Sequence, residues 1–219
     1  MPRLLFEKKG NAVWMSHLDL MRLFQRAFKR SGLPLTHTQG FNPRPSVSIA
    51  LPLSVGVESN CELLDFELDR QGFSCDDIRS RLNNALVDGL RVLDVYEKGR
   101  KIRELALLRC CVRLEYDSQV PDGTVEKLQD LFAKESLIVQ KKTKNGVQDQ
   151  DIIPMIQSLT VNQDASNMVC LDTVICCQNP ALNPMQLSVA IETYIPECKP
   201  DFCKCSRIEI YDNAKNVFR

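Results

Sequence analysis

Residues 16 to 34 spell a helix with its own start and stop signals, and that helix limits what the rest of the chain can be. Ser16 suits a helix N-cap, and Asp19 three residues on makes a capping-box-like pair with negative charge in the first turn. Gly32 supplies the C-terminal stop, and Pro34 follows it. Between these signals Leu20, Met21, Phe24, Ala27 and Phe28 recur at helical spacing as one apolar stripe. Arg22, Arg26, Lys29 and Arg30 take the opposite side. Such a stripe must be buried against another layer, and strand patterns flank it. Residues 3 to 8 read as one strand. Ser46 to Leu53 read as another, with Val47, Ile49 and Leu51 on one face and Pro52 marking an edge.

The same reading continues along the chain. Leu64, Phe66 and Leu68 alternate with Asp65, Glu67 and Asp69, as in a half-buried strand. Ser74 caps a second helix, with Asp76 and Asp77 in its first turn, to about Leu86, and Leu90 to Tyr96 is a fourth strand. The order strand, helix, strand, strand, helix, strand predicts a ferredoxin-like βαββαβ unit, two helices on one face of an antiparallel sheet. The second half repeats the order more faintly. Strands are expected at Leu105–Tyr116, Leu137–Lys142, Met168–Cys176 and Ser206–Tyr211. Helices are expected at Asp122–Lys134 and from Asn183-Pro184 to Tyr194, with Pro184 at the first helical position. Lys144-Asn145-Gly146 is a turn signal, and the apolar stretch Ile152–Leu159 finds no place in the pattern. The expected fold class is therefore α+β, with two tandem ferredoxin-like halves at residues 1–100 and 104–219 and a linker at Lys98–Lys101.

Charge balance is informative only locally. With 28 Lys plus Arg against 28 Asp plus Glu the chain is neutral, which gives no support to a general nucleic-acid coat. Residues 1 to 50 differ. Arg3, Lys8, Lys9, Arg22, Arg26, Lys29, Arg30 and Arg44 oppose Glu7 and Asp19, so eight minus two leaves +6. Segregated positive charge is what a phosphate-binding surface needs, although a solvated outer helix face has the same composition. The N-terminus has no long apolar run of a secretory signal, and no stretch approaches a membrane span, so a soluble cytoplasmic protein is expected. Ten cysteines are then expected to be reduced thiols acting as small apolar residues. The adjacent pairs Cys110-Cys111 and Cys176-Cys177 should each bury one member.

The run Ser16-His17-Leu18-Asp19-Leu20-Met21-Arg22-Leu23-Phe24-Gln25-Arg26-Ala27, then Gly32-Leu33-Pro34, Gln39-Gly40-Phe41-Asn42-Pro43-Arg44-Pro45 and Leu51-Pro52-Leu53-Ser54-Val55-Gly56-Val57-Glu58-Ser59, resembles the radical-SAM-associated (radical-SAM-linked) family of domains of unknown function. The likeness is strong over residues 1 to about 70. It is looser beyond, where Lys142, Asp151-Ile152-Ile153-Pro154 and Arg207 look like family landmarks. What it implies is a radical-SAM protein as partner. The chain lacks the C-x3-C-x2-C cluster motif, so it is not itself the radical enzyme, and no Walker loop, G-x-S-x-G or dinucleotide fingerprint implies a cofactor. The duplicated element order is also similar, at the level of fold, to the CRISPR-repeat endoribonucleases.

Three functions compete on these residues. In the first, the chain is a substrate-binding accessory that holds RNA with Arg22, Arg26, Lys29 and Arg30 and with the loop Gln39, Phe41, Asn42 and Arg44. There Phe41 would stack on a base and Arg44 clamp a phosphate; the bland alternative is that Phe41 plugs the core. In the second, His17 or His37, the only histidines, serves as general base of a metal-independent endoribonuclease. In the third, the basic face docks an acidic partner protein. Cys198, Cys203 and Cys205 form C-x4-C-x-C, a candidate zinc cluster whose spacing matches none of the usual closed sites.

Overall fold

The computed structural model describes residues 1–70, 72–143 and 146–219. It divides into two compact units, Met1–Glu104 with Val217–Arg219, and Leu105–Asn216. No helix among the described residues is long and apolar enough to cross a membrane.

The first unit runs β1 (Arg3–Lys8), α1 (His17–Arg30), β2 (Val47–Ala50), β3 (Glu58–Phe66), α2 (Cys75–Ala85) and β4 (Leu90–Tyr96). β1 lies between β4 and β3, β2 pairs with β3, and every pairing is antiparallel. Both helices begin where the caps demand. Ser16 Oγ accepts the Asp19 N–H at 3.2 Å and donates to Asp19 Oδ2 at 2.7 Å, and Ser74 Oγ accepts the Asp77 N–H at 3.1 Å. α1 ends in a Schellman turn. Gly32 has φ +70°, its N–H donates to the Lys29 carbonyl at 3.3 Å, and the Leu33 N–H donates to the Phe28 carbonyl at 3.0 Å. Leu20, Phe24, Ala27 and Phe28 of α1 and Ile78 and Leu82 of α2 are buried with Leu4, Phe6, Leu64, Phe66 and Val92 of the sheet in one core.

Two strands differ from expectation. β2 stops at Ala50, because the chain turns out at Leu51 (φ +50°) before Pro52, which has no N–H for a ladder. β3 starts at Glu58 rather than Leu64, and Ser59, Cys61, Glu62, Leu63 and Leu64 are all buried, so it is not a half-buried strand. Its polar residues hid it. Glu62 sits opposite Phe6 and Ser59 opposite Lys8 in the ladder.

Two cations of β1 are interior. Lys8 is 1% exposed and donates to the carbonyls of Val13 and Met15 at 3.2 and 3.0 Å, and burial lowers its pKa against the pull of Glu62. Arg3 is 2% exposed and grips Asp65 with two bonds of 2.6 and 3.0 Å. Around Arg3 the fit is close. A Cβ on Gly99 would lie 2.5 Å from its guanidinium, and the fully buried Phe218 ring has Arg3 at 5.5 Å and Arg100 at 5.0 Å from its centre. The Arg100 N–H donates to the Arg219 carbonyl at 3.1 Å.

The second unit runs β5 (Leu105–Glu115), α3 (Thr124–Phe132), β6 (Ile138–Thr143), β7 (Gly146–Asp151), β8 (Ile156–Ala165), β9 (Met168–Cys176), α4 (Met185–Tyr194) and β10 (Phe202–Asp212). β5 lies between β10 and β9, and β8 pairs with β9, all antiparallel. β6 and β7 form a separate antiparallel hairpin. Lys144 and Asn145 of the expected turn lie outside the described residues. The Asp151 carboxylate closes the base of this hairpin by accepting the N–H groups of Leu137 at 2.9 Å and Ile153 at 3.2 Å, which lowers its pKa. The unplaced stretch from Ile152 becomes a short 3-10 turn, Ile153–Met155, and the start of β8. Pro184 stands at the N-cap position of α4 rather than inside it, while the Asn183 side chain accepts the Met185 N–H at 3.1 Å. α3 starts at Thr124, because Gly123 at φ +73° breaks the backbone before it.

Not all the cysteines are free thiols. Cys111 on β5 and Cys170 on β9 are joined in a disulfide, their Cα atoms 6.3 Å apart on neighbouring strands. Cys110 and Cys177 are buried while Cys111 and Cys176 are partly buried, so each adjacent pair fully buries one member.

Two outcomes are expected. Asp65→Ala leaves the buried Arg3 guanidinium without its carboxylate and lowers stability by about 3–5 kcal/mol in urea unfolding, while Arg3→Met with Asp65→Leu costs much less. Tyr116 donates its hydroxyl to the Cys198 carbonyl at 2.8 Å, and burial raises its pKa to about 12 from 10.0. Folding thus favours the neutral phenol, a contribution intact below pH 10 and lost as pH climbs through about 12. Tyr116→Phe should be the less stable protein at pH 7, and its deficit against wild type should shrink across that alkaline window.

Candidate nucleic-acid interface

With the apolar stripe of α1 buried, Arg22, Arg26 and Lys29 are left exposed. They border a groove of about 810 Å³ between α1 and the segment that follows it. Its floor is apolar: Phe28, Leu33 and Leu35 are buried, and Pro34 and Pro45 partly so. Its rim carries the cations Arg22, Arg26 and Lys29 from the helix and Arg70 from the segment after β3, and the His37 imidazole lines it as well. Arg22 has a loose exposed partner, Asp19, at 3.5 Å. Arg26, Lys29 and Arg70 have no carboxylate within ion-pair distance among the described residues. Neither Glu67 nor Asp69, the acids nearest Arg70 in sequence, lines the groove.

One wall of the groove continues into a finger. His37 pairs with Pro45 in an isolated bridge, and both line the groove. Beyond that pair the Thr38 N–H donates to the Arg44 carbonyl at 2.8 Å, and the Arg44 N–H to Thr38 Oγ1 at 3.0 Å. Below it the Ser46 N–H donates to the Thr36 carbonyl at 2.8 Å, and Thr36 is tied through its own N–H to the Glu67 carbonyl at 2.9 Å. The tip holds Gln39, Gly40, Phe41, Asn42 and Pro43. Phe41 does not plug the core: it is 105% exposed. Arg44 is exposed as well, and its guanidinium has no partner among the described residues.

The other candidates lie apart from the groove. Arg30 donates to the Ala85 carbonyl at 2.6 Å, serving the last turn of α2, and borders a different hollow with Trp14. His17 is in the first turn of α1, partly buried, and does not line the groove where His37 sits. Of the eight cations in residues 1 to 50, Arg3 and Lys8 are interior and Lys9 pairs with Glu7 at 2.7 Å, so the surface charge is smaller than the count implies. The three C-terminal cysteines do not converge. Cys198 contacts Thr124, Cys205 contacts Cys110, and Cys203 contacts Ser188. Burial pushes the Cys203 thiol up to about 11, against the thiolate a metal would need. Among the described residues no group of three or more metal-ligating side chains forms.

Two groove residues escape a reading of local pattern. Gln25 lies between the two stripes of α1, and Arg70 reaches the groove only because Leu35 bridges Leu68 and the Asp69 N–H donates to the Pro34 carbonyl at 2.9 Å. Trp14, 70% exposed, and Leu18, 64% exposed, are also unannounced, since apolar residues are ordinarily counted toward the core.

The fold has solved counterparts. A chain of the Cbf5-Nop10-Gar1 complex superposes with a TM-score of 0.53 at 6% identity, over 95% of this chain and 48% of that one. A chain of an H/ACA RNP bound to a substrate RNA containing 2'-deoxyuridine gives 0.51 at 7% identity, over 94% and 46%. At such identities the likeness is one of mixed α and β fold, and this chain spans about half the length of those chains. No curated protein matches the sequence. Residues 2–184, most of the chain, match the family described as "Uncharacterized protein conserved in bacteria (DUF2344)", and the chain belongs to that family.

Proposed function

We propose that this protein binds RNA through the groove beside α1 and the finger that extends its wall, and that it does so as an accessory to a radical-SAM enzyme. The observation that carries the RNA reading is the set Arg26, Lys29 and Arg70, with Arg22 beside them. These cations meet on one groove without a strong carboxylate partner, in a chain whose formal charge is zero. Unpaired guanidinium and ammonium groups over an apolar floor suit phosphates with bases attached, because each neutralised phosphate releases counterions and each base offers a π-face. The exposed Phe41 and Arg44 on a braced loop add a stacking ring and a phosphate fork.

The fold supports the same reading. Each unit reads as a ferredoxin-like βαββαβ half, the second with the β6–β7 hairpin inserted, and a counterpart of similar fold belongs to an RNA-bound assembly. The partner rests on the motif run from Ser16 to Ser59 and its likeness to radical-SAM-associated domains, together with the missing cluster cysteines. In this role the chain holds the substrate and the partner supplies the radical chemistry.

Fluorescence anisotropy with labelled RNA across a salt series tests the proposal. Four phosphate contacts predict a log–log slope of about −3 for single strands. Arg22→Ala, Arg26→Ala and Lys29→Ala combined should flatten it by about 2. Absence of binding at low salt, or a slope indifferent to these changes, would mean that the face docks a protein or is merely solvated. Co-purification of a partner that survives nuclease treatment would then identify the dock.

A further inference from the structure

We infer that the groove takes one unpaired nucleotide of a single-stranded RNA segment, with the neighbouring base stacked on Phe41. The inference rests on the RNA reading above and adds the class of substrate. A cationic helix face alone would suit any nucleic acid, because phosphates are present on every strand. The groove is different. Its volume of about 810 Å³ falls in the range of about 300–1,000 Å³ that encloses single small ligands. Its floor is apolar, with Pro34 and Pro45 partly exposed beside the buried Phe28, Leu33 and Leu35, and such a lining offers nothing to a phosphate and apolar contact to a base. An A-form duplex keeps its bases stacked inside and presents backbone and 2′-hydroxyls, so it would meet the rim and leave the floor wet.

The finger points the same way. His37 and Pro45 belong both to the groove wall and to the finger's base, so the finger starts where the groove ends. A phenyl ring that is 105% exposed, on a loop tied by backbone bonds at Thr36, Thr38, Arg44 and Ser46, has no packing role in the described structure. It can stack only on a base free of its own neighbours. Gln25, on the groove side of α1, carries amide donors and acceptors suited to a base edge.

The test uses the full chain and one labelled RNA strand, alone and annealed to its complement, at equal salt. The single strand should bind roughly tenfold or more tightly than the duplex, as base stacking on protein rings predicts. Gln25→Trp, which fills the groove without removing a cation, and Phe41→Ala, which removes a fully exposed ring, should each erase most of that preference. Circular dichroism and thermal melting check that both variants are folded. Equal binding of the two probes, or a single-strand preference that survives both substitutions, overturns the inference while the RNA reading stands. Failure of both probes to bind at low salt removes the RNA reading and this inference with it.

Discussion

The rotation of α1 about its own axis decides what the surface of the first unit is, and ring contacts set that rotation. Phe24 meets Phe6 of β1 edge to face with centroids 4.7 Å apart, and Phe28 meets Phe66 of β3 at 5.1 Å. Both helix rings are fully buried. One residue of helix is about 100° of rotation, so a slip of one position would drive Arg26 or Lys29 toward the core at a prohibitive desolvation cost. Large rings on one side and cations on the other therefore act as a pair of constraints with a single solution. The Schellman turn at Gly32 then aims Leu33, Pro34 and Leu35 back along the helix, which is why a groove exists beside the cations.

The groove's second wall shows how a loop can present polar and aromatic groups with little disorder. Its proline-rich composition restricts the backbone before any contact forms. Ladder-like bonds from Thr36 to Ser46 then hold the two arms together, and the Glu67 carbonyl anchors the base. Groups mounted this way would lose less freedom on meeting a ligand than groups on an unbraced loop. In the second unit, two described cations are instead held by carboxylates. There Arg109 is locked by Asp172 with two bonds of 2.9 and 2.6 Å, and Lys204 by Glu115 at 2.8 Å.

Local signals were legible and long-range ones were not. β1, β4 and β9 have the expected bounds, and α1 and α2 begin at their serine caps, because alternation and capping are short-range. β3 was half hidden, since an inward Glu62 and Ser59 look like loop residues until their ladder partners are known. The cation count misled for the same reason: nothing local marks Arg3 and Lys8 as interior. The groove was legible only along α1. Arg70's place in it depends on a bridge between Leu35 and Leu68, and Arg30's absence from it on a carbonyl at the end of another helix. The Cys111–Cys170 pairing likewise follows from the register of β5 against β9, which spacing does not reveal.

Phe218 carries a consequence for how the molecule is made. Its ring is counted with the first unit, against Arg3 and Arg100, yet it follows the whole of Leu105–Asn216 in the chain. The ribosome supplies residues in order, so the unit begun first is finished last. Topologically the second unit is an insertion into the first, closing a long loop whose entropic cost grows only slowly with its length.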